Sequence, residues 1–217
     1  MKRPRVILAD DHTLLLDALK HLIEPEFEVV ATFPDGHSLV ESAVELAPNV
    51  VVLDIGMPTM NGLNAGQRLK QLLPMVKLVY LTMNQDPDIA GEAFRLGASA
   101  FVLKSSAATE LLQAIRQVVR GGLYVTPLMT KGMDGSFVQN FKQRKSKYSL
   151  TLRQKEVLQL LAEGRSMKEV AFVLNVSPRT VAFHKYTMME HLHIRSSAEL
   201  IEYALRSSPG VAETVQF

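Results

Sequence analysis

The sequence predicts a doubly wound α/β domain built on five parallel strands, followed by a second, all-α domain of four helices. Two observations predict the first part. Short apolar runs alternate five times with stretches of helical periodicity over residues 1–120, the pattern of crossovers that build a parallel sheet. The run 50–53, Val-Val-Val-Leu, shows no polar alternation, as expected of a strand buried on both faces. A third observation predicts the second part. From Leu150 onward every segment has helical spacing, and a short helix, a tight turn and a capped longer helix follow one another, which is helix-turn-helix order.

Residues 5–9 read as the first strand, and Leu14, Leu15, Ala18, Leu19, Leu22 and Ile23 then recur at helical spacing. Residues 27–32 alternate as a second strand, and 38–47 form a helix that Pro48 stops. Strand three is 50–54, helix three 63–73, strand four 77–82 and helix four 87–96, with Gly97 in the position after a helix that favours glycine. Strand five is 99–104 and helix five 107–120, ended by Gly121-Gly122.

Residues 121–149 have little periodicity and read as an interdomain linker with a short helix around 127–131. Their basic run, 142–147, serves either a solvated linker or a path along nucleic-acid phosphates. The next helix opens with Thr151 as N-cap and Gln154 as the third residue of a capping box, faces the core with Val157, Leu158, Leu160 and Leu161, and ends at Gly164. A short helix over 167–174 follows, with Val170, Ala171 and Leu174 inward, and Asn175-Val176 makes the turn. Ser177-Pro178 opens the longer helix as N-cap and N1, with Val181, His184, Met188 and Leu192 as its inner stripe. A fourth helix covers 197–205, the domain ends near 206, and 207–217 form a tail without an assigned role.

Composition narrows the function classes. The chain has 217 residues, 47% of them hydrophobic, enough for a core, and no cysteine, which removes disulfides and thiolate metal sites and fits a reducing cytoplasm. No apolar run approaches 18 residues. The N-terminus is basic, but its apolar stretch stops at Asp10-Asp11, too soon for a signal peptide. Charge is uneven: residues 1–120 hold 11 Lys and Arg against 14 Asp and Glu, and 121–217 hold 13 against 8, which points to a nucleic-acid-facing second half.

The strand ends carry the chemistry. Strand one runs into Asp10-Asp11, strand three into Asp54, strand four into Thr82 and strand five into Lys104. All project onto the C-terminal edge of one sheet, where ligands bind in open α/β folds. On its own Asp54 reads better as the cap of the next turn; its company favours a site. Three clustered carboxylates stay ionised only if a cation joins them, and carboxylates with carbonyl oxygen and water suit Mg²⁺ or Mn²⁺. A lysine and a hydroxyl opposite a metal clamp an anion such as a phosphoryl group, which a carboxylate can itself accept as an acyl phosphate.

In these residues the first half resembles the receiver domain of two-component response regulators, a flavodoxin-like fold. The matching features are Asp10-Asp11, Asp54 followed by Met57-Pro58 and Asn61-Gly62, Thr82 and Lys104, with gaps of 43, 28 and 22 residues from Asp11 onward. The resemblance implies that Asp54 is the phospho-acceptor, that Asp10, Asp11, Asp54 and the carbonyl of Gly56 hold Mg²⁺, and that Thr82 and Lys104 bind phosphoryl oxygens. It makes Phe101 the aromatic switch residue that turns inward on activation; by itself, Phe101 reads as ordinary core.

Residues 150–205 resemble the four-helix DNA-binding domain of LuxR-type regulators. The carriers are Leu150-Thr151-x-Arg153-x-x-Glu156-Val157-Leu158, Lys168-Glu169-Val170-Ala171, Ser177-x-x-Thr180-Val181-x-x-His184 and Ala198-Glu199-Leu200. Together the halves are similar to NarL/FixJ-type response regulators. The departures are Ala182 and Tyr186 where polar or basic residues are frequent, Phe183, Glu190 in a usually basic position, and His193 where a glycine often stands. Lys168, Thr180 and Lys185 are the candidate phosphate contacts; Ala182, Phe183 and Tyr186 the candidate base contacts, with packing inside the domain the equal alternative for Phe183 and Tyr186. Residues 150–217 hold 8 Lys and Arg against 7 Glu, so a monomer is expected to bind DNA weakly. Ala182 and Phe183 can touch a thymine methyl and cannot pair with guanine, so the expected site leans to A·T.

The expectation is a cytoplasmic transcription factor, not an enzyme. A sensor histidine kinase switches it at Asp54, and it is a homodimer when active, with the fourth helix as a dimer surface. Two other readings stand beside it. One is a regulator that binds DNA without phosphorylation and uses the receiver only to dimerise. The other is a Mg²⁺-dependent phosphohydrolase with an Asp nucleophile, disfavoured because Asp10 and Asp11 are adjacent, not two apart.

Overall fold

The computed structural model describes residues 2–58, 60–130, 150 and 152–207. It comprises two compact units, Met1–Arg144 and Lys145–Phe217. The basic run 142–147, the expected N-cap Thr151 and the tail from 208 onward lie outside the described residues.

The first unit alternates strictly: β1 (Arg5–Ala9), α1 (Thr13–Ile23), β2 (Glu28–Phe33), α2 (Gly36–Leu46), β3 (Val50–Asp54), α3 (Gly62–Leu72), β4 (Lys77–Thr82), α4 (Pro87–Arg95), β5 (Ala100–Leu103), a 3₁₀ turn (Lys104–Ser106), α5 (Ala107–Val119), β6 (Tyr124–Val125) and α6 (Pro127–Thr130). The strands form one sheet in the order β2-β1-β3-β4-β5-β6, and every pairing is parallel. The order reverses between β1 and β3, which opens a crevice above their C-terminal ends. All five residues of β3 are buried, the reason its sequence lacks alternation. Val6, Leu8, Val52, Val79, Leu81 and Val102 on one face of the sheet pack against Leu16 and Leu19 of α1 and Leu111 and Ile115 of α5.

The sheet has six strands where the sequence predicts five. Residues 124–125 are too few to show a period, and pairing makes them a strand. Tyr124 N–H donates to the Ser99 carbonyl at 3.1 Å and Thr126 N–H to that of Phe101 at 3.0 Å. The strand therefore falls inside the stretch expected to be linker. β2 starts one residue late because Phe27 closes the preceding helix, its N–H on the Ile23 carbonyl at 2.9 Å. α2 starts two residues early because Asp35 caps it, accepting from His37 N–H and Ser38 N–H. β5 stops at Leu103, so Lys104 opens the 3₁₀ turn instead of ending the strand. Gly97, at φ +99°, occupies the left-handed position after α4.

The second unit contains α7 (Leu152–Ala162), α8 (Met167–Val173), α9 (Pro178–His191) and α10 (Ser197–Ser207). Val157, Val170, Val181, Met188 and Leu200 form its core. Asn175 makes the turn between α8 and α9 at φ +52°. The capping box falls at Ser166 and Glu169, whose carboxylate is held below the usual range by the Ser166 hydroxyl and N–H. Ser177 caps α9 with Pro178 behind it. His193 sits at φ +56°, which gives a physical reason for the glycine often found there.

Candidate functional site

Four strands deliver their last residue, or the one just after it, to one edge of the sheet. Asp10 follows β1 and is fully buried, its N–H held by the Phe33 carbonyl at 3.1 Å. Asp54 ends β3, and Gly56 N–H donates to its carboxylate. Ile55 N–H donates to the Leu81 carbonyl at 3.0 Å, pinning the loop after β3 to β4. The loop turns back so tightly that Gly62 N–H reaches the Ile55 carbonyl at 2.9 Å. Asn61 caps α3 by accepting from Asn64 N–H at 2.9 Å. Thr82 ends β4, buried, its hydroxyl accepting from Asn84 N–H at 3.0 Å.

Lys104 ties the site together. Its Nζ stands 2.7 Å from Asp10 Oδ2 and 3.1 Å from Asp54 Oδ2, with only 8% of the side chain exposed. Burial raises the pKa of Asp54, the nearby Lys104 ammonium opposes that, and Asp10 adds to it. Asp10, Asp11 and Asp54 set three carboxylates against this one ammonium. The formal charge of the pocket, −2, and its hard oxygen donors suit a divalent cation.

The sequence set Asp10, Asp11, Asp54, Gly56, Thr82 and Lys104 thus lies along one edge, with two differences. Among the described residues, the groups able to gather on an ion, within 4.8 Å of one another, belong to Asp10, Asp11 and His12. His12 Nδ1 is 3.2 Å from Asp10 Oδ1 and 2.9 Å from Asp11 Oδ1. Asp54 is engaged by Lys104 instead. Sequence reasoning gave His12 no role in the site, although it directly follows the acidic pair. It also passed over Thr126, fully buried, whose hydroxyl accepts from Leu103 N–H at 3.0 Å and latches β6 beside Lys104. Phe101 is fully buried on β5, opposite Tyr80 of β4 and Val125 of β6.

In the second unit, Lys168 is exposed on α8. On α9, Tyr186 is 54% exposed, and Lys185 Nζ lies 5.1 Å from its ring centroid. Ala182 and Phe183 are half-buried. His184 is buried on the inner stripe, meeting Phe183 edge to face at 5.4 Å. Thr180 differs from its expected role as a phosphate contact. It is buried, and its hydroxyl is 2.8 Å from that of Ser177, so it serves the start of the helix. Two side chains escaped the sequence reading: Arg179, exposed in the first turn of α9, and Phe172 of α8, 89% exposed.

Comparison with known proteins adds to this geometry. A response regulator receiver domain family matches residues 6–116, and a family of bacterial regulatory proteins, the luxR family, matches residues 148–204. Oxygen regulatory protein NreC of Staphylococcus carnosus is 33% identical over 210 residues, 93% of this chain and 97% of that protein. RcsB from Salmonella enterica serovar Typhimurium, bound to promoter rprA in the presence of the phosphomimetic BeF3⁻, is 28% identical with a TM-score of 0.55, covering 94% of this chain and 100% of that one. A structure of two RcsB dimers bound to two parallel DNAs is 26% identical with a TM-score of 0.58, covering 95% of this chain and 100% of that one.

Proposed function

We propose, because the chain belongs to the two-component response regulators with a LuxR-family domain, that Asp54 accepts a phosphoryl group from a sensor histidine kinase and thereby sets the affinity of α7–α10 for DNA. The observation that carries this reading is the Lys104 ammonium 3.1 Å from the Asp54 carboxylate at the mouth of the crevice. An Asp54 oxygen forms a bond to phosphorus as the phosphorus–nitrogen bond of the kinase phosphohistidine breaks, and the electron pair leaves with the imidazole. Lys104 moves from its carboxylates toward the phosphoryl oxygens, and the Thr82 hydroxyl turns from Asn84 N–H to donate to one of them. Asp10, Asp11, Asp54 and the Gly56 carbonyl would hold Mg²⁺ or Mn²⁺, which supplies the positive charge the pocket lacks.

Drawing Thr82 and Lys104 inward shifts the ends of β4 and β5, and Phe101 lies on β5 opposite Tyr80 of β4. Phe101 is therefore the residue through which the acceptor reaches the outer face. A coupling of about 1–3 kcal/mol suffices for a useful change in DNA affinity. Lys168 and Lys185 contact phosphates, and Ala182, Phe183 and Tyr186 face base edges, reading an A·T-leaning site. A homodimer, formed through α10, supplies the affinity that a nearly neutral monomer lacks. Among the described residues no helix is long and apolar enough to cross a membrane; a cytoplasmic transcription factor is the role that suits these parts.

The test is molar mass and operator binding with Mg²⁺, before and after beryllofluoride, for the natural chain and Asp54→Asn. A mass that doubles and DNA binding that tightens only with Asp54 intact supports the reading. DNA binding indifferent to both treatments favours the regulator that works without phosphorylation.

A further inference from the structure

The sheet edge opposite the acceptor carries a feature that phosphotransfer does not use. A groove of about 900 Å³ runs beneath the N-terminal ends of β1, β3 and β4. Its rim is basic: Lys2, Arg3, Arg5 and Lys77 line it against a single acid, Glu28. Glu28 is taken by Arg5 at 3.3 Å, and the Arg5 guanidinium is further committed to the Leu46 carbonyl at 2.9 Å. Arg3 donates to a neutral carbonyl, that of Glu24. Lys2, Arg3 and Lys77 have no carboxylate partner among the described residues. Three uncompensated cations thus border one groove, in a stretch (1–120) where acids outnumber bases by 14 to 11.

The same groove exposes apolar side chains. Leu72 is 52%, Met75 82% and Val119 40% exposed, and all three line it. Phosphates alone would use the cations and leave this surface wet. An acidic segment with large apolar side chains would satisfy both, its carboxylates on the rim and its apolar residues over Leu72 and Met75.

We propose that this groove is a docking site for an acidic, apolar peptide segment of a partner protein, on the face away from Asp54. The charge complementarity fixes the class of occupant, and the site stands independently of phosphotransfer. The test follows the amide NMR spectrum of the full-length protein during titration with a short peptide of alternating glutamate and leucine. The same peptide with glutamine for glutamate, and a short DNA duplex, run beside it.

Saturable shifts confined to residues around Lys77, Met75 and Arg3 are expected with the acidic peptide alone. The double variant Arg3→Glu with Lys77→Glu should weaken binding about tenfold, and Met75→Ser about fivefold, both keeping the natural response to beryllofluoride. Equal binding of the glutamine peptide, a response to the duplex in its place, or no saturable shift would overturn the proposal.

Discussion

Replacing Lys104 by alanine isolates what a single ammonium does for two buried carboxylates. Its Nζ bridges Asp10 and Asp54 at 2.7 and 3.1 Å, and all three side chains are nearly inaccessible, at 8%, 1% and 5% exposure. Removing one partner from a buried ionic group costs about 3–5 kcal/mol, because the charges left behind stay desolvated. The lower end applies, since Asp54 can escape by taking up a proton. Lys104→Ala should therefore lose about 3 kcal/mol at pH 7, which for a urea slope of about 1.5–2 kcal/mol/M lowers the receiver's midpoint by about 1.5–2 M.

The pH dependence has a definite sign. Burial raises the folded pKa of Asp54 above its unfolded value, and without Lys104 that rise is less opposed. A raised carboxyl is at its most favourable below the unfolded pKa and loses that contribution as pH climbs through the folded pKa. The deficit of Lys104→Ala is thus largest at neutral pH and shrinks on acidification toward about pH 4. Urea titrations followed by tyrosine fluorescence, at both pH values and with and without Mg²⁺, measure it; the chain has no tryptophan to mask the signal. Adding Asp54→Asn to Lys104→Ala should recover most of the loss, and so should millimolar Mg²⁺. An unchanged midpoint at pH 7, or a loss equal at both pH values, refutes the reasoning.

Four further outcomes follow from particular contacts. A Cβ on Gly62 would collide with the Asp54 carbonyl oxygen and stand 2.9 Å from Ile55 Cα; Gly62→Ala should cost about 2–3 kcal/mol in a thermal melt and abolish the proposed mass change with beryllofluoride, because Asp54 itself is displaced. Asp54→Asn alone should stabilise the receiver at pH 7, with the gain fading as pH falls toward the unfolded carboxylate pKa, as read from melting temperature against pH. The Tyr80 hydroxyl is buried without a hydrogen-bond partner among the described residues, so Tyr80→Phe should stabilise by about 1 kcal/mol; it should also recover part of the loss in Gly66→Ala, because it removes the hydroxyl that the new Cβ would meet while Tyr80 Cζ, 2.9 Å away, stays. Lys168→Ala and Lys185→Ala should each lower the slope of log K against log salt by about 1 without changing sequence preference, measured by operator titrations at several salt concentrations.

What was legible in the sequence was what depends on neighbours along the chain. β3 and β4 have the bounds expected of them, because an apolar run that stops at a polar residue marks both a strand and its edge. The meeting of Asp10, Asp54, Thr82 and Lys104 at one sheet edge was legible for the same reason, since each ends or directly follows a parallel strand. What was hidden depends on space. Two residues become β6 only because β5 offers its free edge, and no local pattern announces that. Thr180 is a case where a local rule was available: a serine cap takes the N–H three residues on, which turns that residue toward the cap. Phe172 was likewise open to reasoning, because placing Val170, Ala171 and Leu174 inward leaves position 172 facing out.

The pocket's charge shows how far such reading reaches. Counting strand-end residues finds three acids and one base, and so the shortage of positive charge, without any coordinates. It does not find which acids the base serves. In the folded chain Lys104 spans Asp54 and Asp10, while Asp11 faces His12. On the proposed function Lys104 is to bind phosphoryl oxygens, so phosphorylation would have to break its contact with Asp54 to recruit it. A cation entering beside Asp10 and Asp11 would weaken the lysine's hold on Asp10 and so lower the cost of that exchange. On the proposed function, metal binding and phosphoryl transfer would be coupled through this one side chain, and Lys104→Ala should bind Mg²⁺ more tightly in a titration even as Asp54 is phosphorylated more slowly.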